Sequence, residues 1–357
     1  MADTVNKRKE RINYFDIAKG IGIILVVLGH LEYISLELRY AIVSFHMPLF
    51  FVVSGMLMNV TNDESKEIGT YIRSKAKRIL MPYMYFSIIY LFIIVGLIFI
   101  SPDTYTWVYF YENAYLAGCM YGISVLWFLP ALFFASIIFV AIRKKVGHYM
   151  TIVLVAIITI SAYLCNYGLQ ILNISHGKEF VFFHLNIFLT MILRSLISVM
   201  FICVGYYFYK LIENIKVKSV IDFIIGIILL IPVVIISQKN QAVDIHFLVF
   251  NNCLLYLFCS CVGSMAVIFI SRSLGKTTNI APICLLKYYG ENSLVIMATH
   301  MDMYVLYFSL LICNKIVDIS NLFLFCLITI LIVFIIEIVI IEIINRFFPF
   351  IVGKKRV

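Results

Sequence analysis

Charged residues are scarce in this chain of 357 residues: they make up 13% of it, against 63% hydrophobic residues and a mean hydropathy of +1.03. Long polar segments are missing too, because the longest candidates run to about twenty residues. These two absences exclude a separate soluble domain. The repeated apolar stretches, each long enough to cross a bilayer, predict an all-α, polytopic membrane protein.

The nine cysteines provide neither a disulfide framework nor a metal site. They are scattered, mostly within apolar stretches, and no two of them are spaced as CxxC. We therefore interpret them as small apolar packing residues. No metal cofactor is expected.

Ten apolar stretches are predicted to span the membrane. They lie near 14–34, 41–59, 79–101, 123–142, 150–169, 187–209, 219–237, 247–270, 289–312 and 319–345. When the connections are assigned alternately to two sides, 22 of the 28 Lys and Arg residues fall on one side and four on the other. The positive-inside rule then places both termini in the cytoplasm. The same asymmetry accounts for the net charge of +9 without any nucleic-acid partner.

The predicted organisation is a cytoplasmic N-terminal segment 1–13, a transmembrane domain 14–345 and a basic cytoplasmic tail 346–357. The first apolar stretch follows a basic leader, but it carries Lys19 and no small-residue cleavage pattern. We expect it to be an uncleaved first helix and not a signal peptide.

The most informative segment is FDIAKGIGIILVVLGHLE at 15–32, which places Asp16, Lys19 and His30 in this predicted span. Eleven residues separate Lys19 from His30, which is three helical turns plus about 20°, so both share one face about 16 Å apart along the axis. Ionisable groups inside a spanning helix are costly and usually face a cavity or a partner. The spacing therefore predicts a polar passage through the membrane domain.

The second span begins SFHMPLFFVVSGMLM, with His46 near its outer end. Pro48 should kink the helix and free a carbonyl, which is tolerable only where protein or water satisfies it. His46 is interpreted as a cavity-lining residue, with an interfacial structural histidine as the alternative. Ser54 and Gly55 are interpreted as close-packing positions.

A dense basic cluster, in the segment YIRSKAKRILMPY, leads into the third span. Positive-inside topology explains Arg73, Lys75, Lys77 and Arg78 when they are taken alone. The functional alternative is a site for a phosphorylated cofactor, because basic side chains at a helix N-terminus add to free backbone donors. Lys75 and Arg78, three residues apart, share a helical face.

Three further polar positions lie within later spans. Arg194 in the sixth span is a cavity candidate, because a deeply placed Arg cannot reach the interface cheaply. His300 and Asp302 in the ninth span should lie at mid-depth or in the outer half. Trp127, near the outer end of the fourth span, fits an aromatic belt, and Pro130 fits another kink.

Together these segments resemble the acyltransferase-3 family of bacterial membrane O-acyltransferases. The resemblance is carried by the basic residue, ten intervening residues and histidine of Lys19–His30, by FHMPLFFVVSG at 45–55, by the basic cluster before MPY at 81–83, by LWFLPAL at 126–132 and by GENSLVIMATH at 290–300. These motifs cover nearly the whole chain in the family's order. Lys19 departs from the pattern, because many members have Arg there, and Lys lacks the bidentate geometry of Arg.

The resemblance implies transfer of an acyl group, commonly acetyl from acetyl-CoA, to a hydroxyl of a cell-surface or lipid-linked sugar, in the bacterial cytoplasmic (inner) membrane. The cluster Arg73, Lys75, Lys77 and Arg78 would then hold the phosphates of CoA. His30 would act as general base, Lys19 would lie along the pantetheine arm, and Asp16 would orient Lys19. For the acceptor side, the implied binding residues are His46, Arg194 and His300. An acyl-histidine intermediate is the less favoured variant.

Two other classes of protein fit a charged interior crossed by ten spans. An exporter of glycans or lipid-linked sugars needs a polar passage but no base. A membrane sensing module beside a separate enzyme needs neither. No spacing pattern in the sequence predicts the identity of the acceptor or the oligomeric state.

Overall fold

A computed structural model describes residues 12–171, 180–215, 217–277, 280–317, 319 and 321–354. Over these ranges the chain is helical, apart from turns and one isolated antiparallel bridge between Asp244 and Val249. The helices are α1 (Asn13–Gly29), α2 (Leu36–Val43), α3 (His46–Val60), α4 (Ile68–Lys75), α5 (Met81–Ile100), α6 (Trp107–Gly118), α7 (Phe128–Lys145), α8 (His148–Ile171), α9 (Phe180–Ile212), α10 (Ser219–Asn240), α11 (Cys253–Leu274), α12 (Ala281–Glu291), α13 (Ser293–Thr299), α14 (Val305–Cys313) and α15 (Leu322–Phe347). Most of the predicted N-terminal segment, residues 1–11, and the last three residues of the tail lie outside the described residues.

Eight helical stretches of the described chain are long and apolar enough to cross a membrane. They are Leu36–Val60, Ile68–Ile100, Ser124–Lys145, His148–Ile171, His184–Ile212, Ser219–Asn240, Cys253–Leu274 and Leu322–Phe347. Each coincides with one of the ten predicted spans. The protein is therefore an all-helical, multi-pass membrane protein, as its composition predicts.

The other two predicted spans are those that carry Lys19, His30 and His300, and both are shorter than expected. The predicted span 14–34 forms α1, whose 17 residues extend about 26 Å and end at Gly29. His30 caps this helix and does not lie inside it. The predicted span 289–312 is divided among α12, α13 and α14, with breaks at Asn292 and between His300 and Tyr304.

Pro48 and Pro130, the positions of the predicted kinks, lie in the first turn of an α-helix and not in its interior. A turn at 44–45 separates α3 from α2, whereas a 3₁₀ turn over Ser124–Trp127 leads into α7 without a break. Both prolines are the third residue of their helix, α3 or α7. A helix has no intrahelical acceptor for its first N–H groups, so proline costs little there. These prolines therefore mark helix starts near the centre of the protein.

Close backbone contact joins α1 to α12. A Cβ added at Gly290 would lie 1.7 Å from the Asp16 carbonyl oxygen, and one at Gly20 would lie 2.0 Å from the Leu286 carbonyl oxygen. A second such contact joins α3 to α9, where a Cβ at Gly55 would lie 2.0 Å from the Ile202 oxygen. The packing interpretation of Gly55 is confirmed. Both contacts fix the helices that surround the polar interior.

Candidate functional site

A cavity of about 320 Å³, here called the basic cavity, lies between α1, α3, α7, α13 and the segment 61–79. Its charged lining residues are Lys19, Asp63, Lys66, Lys75 and Arg78. Four of these five are cationic. Ser54 also lines this cavity, so its role is not packing alone.

A π-helical turn over Ala76–Leu80 joins α4 to α5 in one continuous helical stretch. Pro82 lies two residues after it, and a proline ring clashes with the carbonyl four residues earlier, here that of Arg78. The wider turn accommodates this clash without a break, and π-turns are frequent at functional sites. The expectation that the basic cluster begins a helix is therefore wrong, and free backbone donors do not contribute.

The four residues of the basic cluster do not share one environment. Lys75 and Arg78 line the basic cavity, whereas Arg73 and Lys77 are exposed and do not line it. Only two of the four predicted cofactor-binding residues are thus brought to the cavity.

Lys19 and Asp16 form an ion pair on α1, with 2.7 Å between Nζ and Oδ1. Asp16 is almost completely buried, whereas Lys19 lines the basic cavity. A carboxylate buried at this depth requires a cationic partner. The pair holds the Lys19 ammonium in the lining of the basic cavity.

A second cavity of about 320 Å³, here called the histidine cavity, lies beyond the end of α1. Its polar lining residues are His30, His46, Ser124, Trp127, Asp244 and His246. Trp127 is buried and lines this cavity, so it does not belong to a lipid-facing aromatic belt. Met297 of α13 lines both cavities and forms their common wall.

His300 lies directly behind His30. The two ring centroids are 5.3 Å apart, and His300 is completely buried and does not line the histidine cavity. Its Nδ1 lies 2.8 Å from the Ile296 oxygen, whereas its Nε2 has no hydrogen-bond partner in the described part of the chain. The bond at Nδ1 assigns the proton to that nitrogen, so Nε2 presents a lone pair.

His46 is the first residue of α3, and its Nδ1 lies 2.9 Å from the Ile42 oxygen. This contact fixes the ring against the end of α2, because a protonated Nδ1 donates to that carbonyl. His46 also lines the histidine cavity.

Arg194 lines neither cavity. It is almost fully buried behind the histidine cavity, with Nε donating to the His246 oxygen at 2.6 Å and Nη1 to the Tyr121 oxygen at 2.8 Å. Its guanidinium also lies 4.1 Å from the centroid of the Tyr121 ring. Arg194 thus contacts the backbone around the histidine cavity, and its contact with the acceptor stays a prediction.

Sequence reasoning missed His246, which lies in the connection 241–252. Its ring is stacked on Trp127, with centroids 5.4 Å apart and an interplanar angle of 5°. Burial, and secondarily the charges of Arg194 and His30, lower the pKa of His246 to about 3. The available signal was the pattern Asp-x-His in a short connection, because Asp at that spacing often caps the following N–H groups.

The described ranges contain no group of three or more His, Cys, Asp or Glu side chains arranged to hold a metal ion. Imidazole groups and the Asp244 side chain line the histidine cavity, and the basic cavity lies on the other side of Met297.

The fold and these cavities define a multi-pass helical membrane protein with a polar interior. A family model described as an acyltransferase domain matches residues 12–338, and the chain belongs to the acyltransferase-3 family. Searches of curated proteins and of solved structures gave no match.

Proposed function

We propose that this protein is a membrane O-acyltransferase that transfers an acyl group, acetyl by preference, from cytoplasmic acyl-CoA to a hydroxyl of a cell-surface or lipid-linked sugar. The observation that carries the proposal is the pair of cavities that meet at Met297, with Lys19 in one and His30 in the other. Family membership supports the acyl-transfer chemistry. The catalytic unit is the domain 14–345, in the bacterial inner membrane with both termini in the cytoplasm.

The basic cavity suits the donor. CoA is polyanionic and ends in a long, flexible arm bearing the thioester, and Lys66, Lys75 and Arg78 provide cationic donors for its phosphates. A volume of about 320 Å³ accommodates the arm but not the whole of CoA, so the nucleotide lies at the exposed Arg78. The arm then extends past Lys19 towards Met297.

The histidine cavity suits the acceptor. His30 removes the proton from the sugar hydroxyl, the oxygen forms a bond to the thioester carbonyl carbon, and the carbon–sulfur bond breaks. The thiolate takes the proton from His30 and leaves as CoA. Direct transfer accounts for the proton and for every bond formed and broken, so the scheme needs no acyl-histidine intermediate.

His300 acts in this scheme on His30 and does not bind the acceptor. When His30 becomes an imidazolium, its N–H needs an acceptor, and the Nε2 lone pair of His300 lies behind it. With the ring centroids 5.3 Å apart, the proposal requires the His30 ring to rotate until one of its nitrogens faces Nε2 of His300. His300 is therefore a positioning residue that stabilises the charged form of His30.

Met297 must move for the thioester to reach His30. The side chain of methionine is unbranched and flexible, so it can change rotamer at small cost. It belongs to α13, a helix of seven residues with a break at each end. This arrangement supports a wall that closes the passage at rest and yields to the pantetheine arm.

The proposal is tested with purified protein reconstituted in proteoliposomes, measuring CoA release from acetyl-CoA in the presence of a panel of sugars. We expect acceptor-dependent release by the native protein and a fall of about 10²–10⁴-fold in the variant His30→Ala. His148→Ala is the matched control, because His148 lines neither cavity and contacts Arg143 and Tyr207. Transport of a sugar without CoA release, unaffected by loss of the base, would support an exporter and contradict the proposal.

A further inference from the structure

The connection between α10 and α11, residues 241–252, has a strained backbone. Gln241, Leu248 and Asn251 have φ values of 55°, 56° and 43°. Residues other than glycine avoid this left-handed region because Cβ crowds the backbone, and leucine has no side-chain polar group to compensate. Such strain persists only where the surroundings enforce it, and it is concentrated at functional sites.

Side-chain amides enforce the strained backbone of this connection. Asn251 donates through Nδ2 to the oxygens of Asn240 and Ala242 at 2.7 and 2.9 Å. From α8, Asn166 donates to the Leu248 oxygen at 2.9 Å. The connection is thus fixed to the ends of α10 and α8.

His246 lies at the centre of this connection and is held from three sides. Arg194 donates to its carbonyl oxygen at 2.6 Å, and Asp244 Oδ1 accepts its backbone N–H at 2.6 Å. Its ring is stacked parallel to the Trp127 ring. None of these contacts uses Nε2, which is buried, lies in a ring that lines the histidine cavity, and has no partner within the described ranges.

We propose that His246 hydrogen-bonds through Nε2 to a sugar hydroxyl of the acceptor and holds the acceptor against His30, so that it sets acceptor affinity and orientation. This assignment rests on the proposed function. A residue that positions a substrate needs a rigid backbone, a fixed side-chain orientation and a polar atom available to the substrate. His246 combines these three features.

His246 is not a second base. A base must become an imidazolium, and burial of the ring, followed by the neighbouring guanidinium of Arg194, opposes that charge and lowers the pKa of His246 to about 3. His246 therefore remains neutral throughout the range in which the enzyme would be measured. A neutral imidazole can still donate or accept one hydrogen bond.

The experiment compares His246→Phe, which keeps an aromatic ring for Trp127, with His246→Gln, which keeps a hydrogen-bonding group. Acceptor KM, acyl-CoA KM and kcat are measured with acetyl-CoA and methyl glycosides of hexoses and N-acetylhexosamines as probes. We expect His246→Phe to raise the acceptor KM about tenfold or more, with acyl-CoA KM changed less than twofold. The variant His246→Gln recovers part of the loss, and the pH profile between pH 5 and 9 keeps its position in both.

Three outcomes overturn the assignment. Unchanged kinetics in both variants would show that Nε2 touches no acceptor, and loss of the acid limb of the pH profile would make His246 the base. A parallel rise of both KM values would indicate a structural role. His148→Phe, which should change neither KM, is the control, and if His246→Phe does not fold, His246→Gln carries the test. Native protein without any acceptor-dependent CoA release would instead contradict the proposed function itself.

Discussion

His30, at the end of α1, and His300, at the end of α13, differ in exposure. His30 lines the histidine cavity, whereas His300 is completely buried and its Nε2 has no partner among the described residues. In the proposed function, a side chain that does not reach the cavity does not bind the acceptor, so His300 contributes through His30.

Replacing His300 should slow chemistry without weakening binding. We expect His300→Phe to lower kcat by about 10²-fold, because the imidazolium of His30 loses its acceptor, with both KM values changed little. His300→Asn, whose side-chain oxygen can accept a hydrogen bond, should retain more activity. Steady-state kinetics with varied acceptor distinguish positioning of His30 from binding of the acceptor. A raised acceptor KM at unchanged kcat would make His300 a binding residue, as the sequence alone predicts.

Lys19 is the position at which this chain departs from the family's Arg. Its ammonium makes a single 2.7 Å contact with the buried Asp16. We expect Lys19→Arg to keep activity within about threefold of the native protein. Lys19→Met should lower kcat/KM for acyl-CoA at least about tenfold, and it should also lower the melting temperature, because the buried Asp16 carboxylate loses the ammonium that lies 2.7 Å from it. Equal activity of all three proteins would remove Lys19 from the donor site.

Single residues were predictable where they interrupt an apolar pattern. Lys19 and His30 stand out in the first apolar stretch because ionisable groups there are costly. His246 did not stand out, because a histidine in a polar connection is unremarkable until the fold places it on Trp127. Arg194 stood out in the sequence as a charged residue in an apolar stretch, but only the tertiary structure shows that Nε and Nη1 donate to backbone carbonyls and that the guanidinium lies over a tyrosine ring.

Among the elements, the continuous helical stretch Ile68–Ile100 determines which basic side chains line the basic cavity. Lys75 and Arg78 line the basic cavity, while Arg73 and Lys77 are exposed away from it. We expect Lys75→Ala with Arg78→Ala to raise acyl-CoA KM at least about tenfold. The matched double variant, Arg73→Ala with Lys77→Ala, removes the same charge from the same helical stretch. It should raise the acyl-CoA KM less than about twofold. Equal effects would mean that the cluster acts only through its total charge.

The contact between α1 and α12 sets the position of Lys19 and His30. A methyl group at Gly290 would meet the Asp16 carbonyl oxygen at 1.7 Å, so Gly290→Ala must separate the helices. We expect the free energy of unfolding to fall by about 2–4 kcal/mol, which is the cost of overpacking a core or somewhat more. Gly96→Ala is the control, because a Cβ there meets nothing within 4 Å, and it should leave the melting temperature in detergent unchanged or raise it. An unaffected Gly290→Ala protein would contradict the packing described.

Helix breaks were the least predictable elements. The stretch 289–312 is apolar and reads as one span, yet it is divided at Asn292 and again after His300. Irregular backbone at membrane depth is stable only where surrounding protein satisfies it. That condition is tertiary, and no local pattern in the sequence reports it.

For the whole molecule, composition and hydropathy were sufficient to predict a multi-pass helical protein, because the described residues include eight helices long and apolar enough to cross a membrane. They could not predict that the two spans carrying Lys19, His30 and His300 would be the short and broken ones. Two cavities of the described chain lie alongside α1, with Met297 between them. In the proposed function, this division would let donor and acceptor approach from opposite sides of one membrane.

The most direct test of the account is the sidedness of transfer in proteoliposomes that hold the protein in one orientation. Acetyl-CoA and a membrane-impermeant sugar acceptor are supplied on chosen faces, and the acylated sugar is measured. The account predicts product only when acetyl-CoA is on the face of Arg78 and the acceptor is on the face of His246, and loss of that product in His30→Ala. Product formed with both substrates on one face, or sugar that crosses without being acylated, would contradict it.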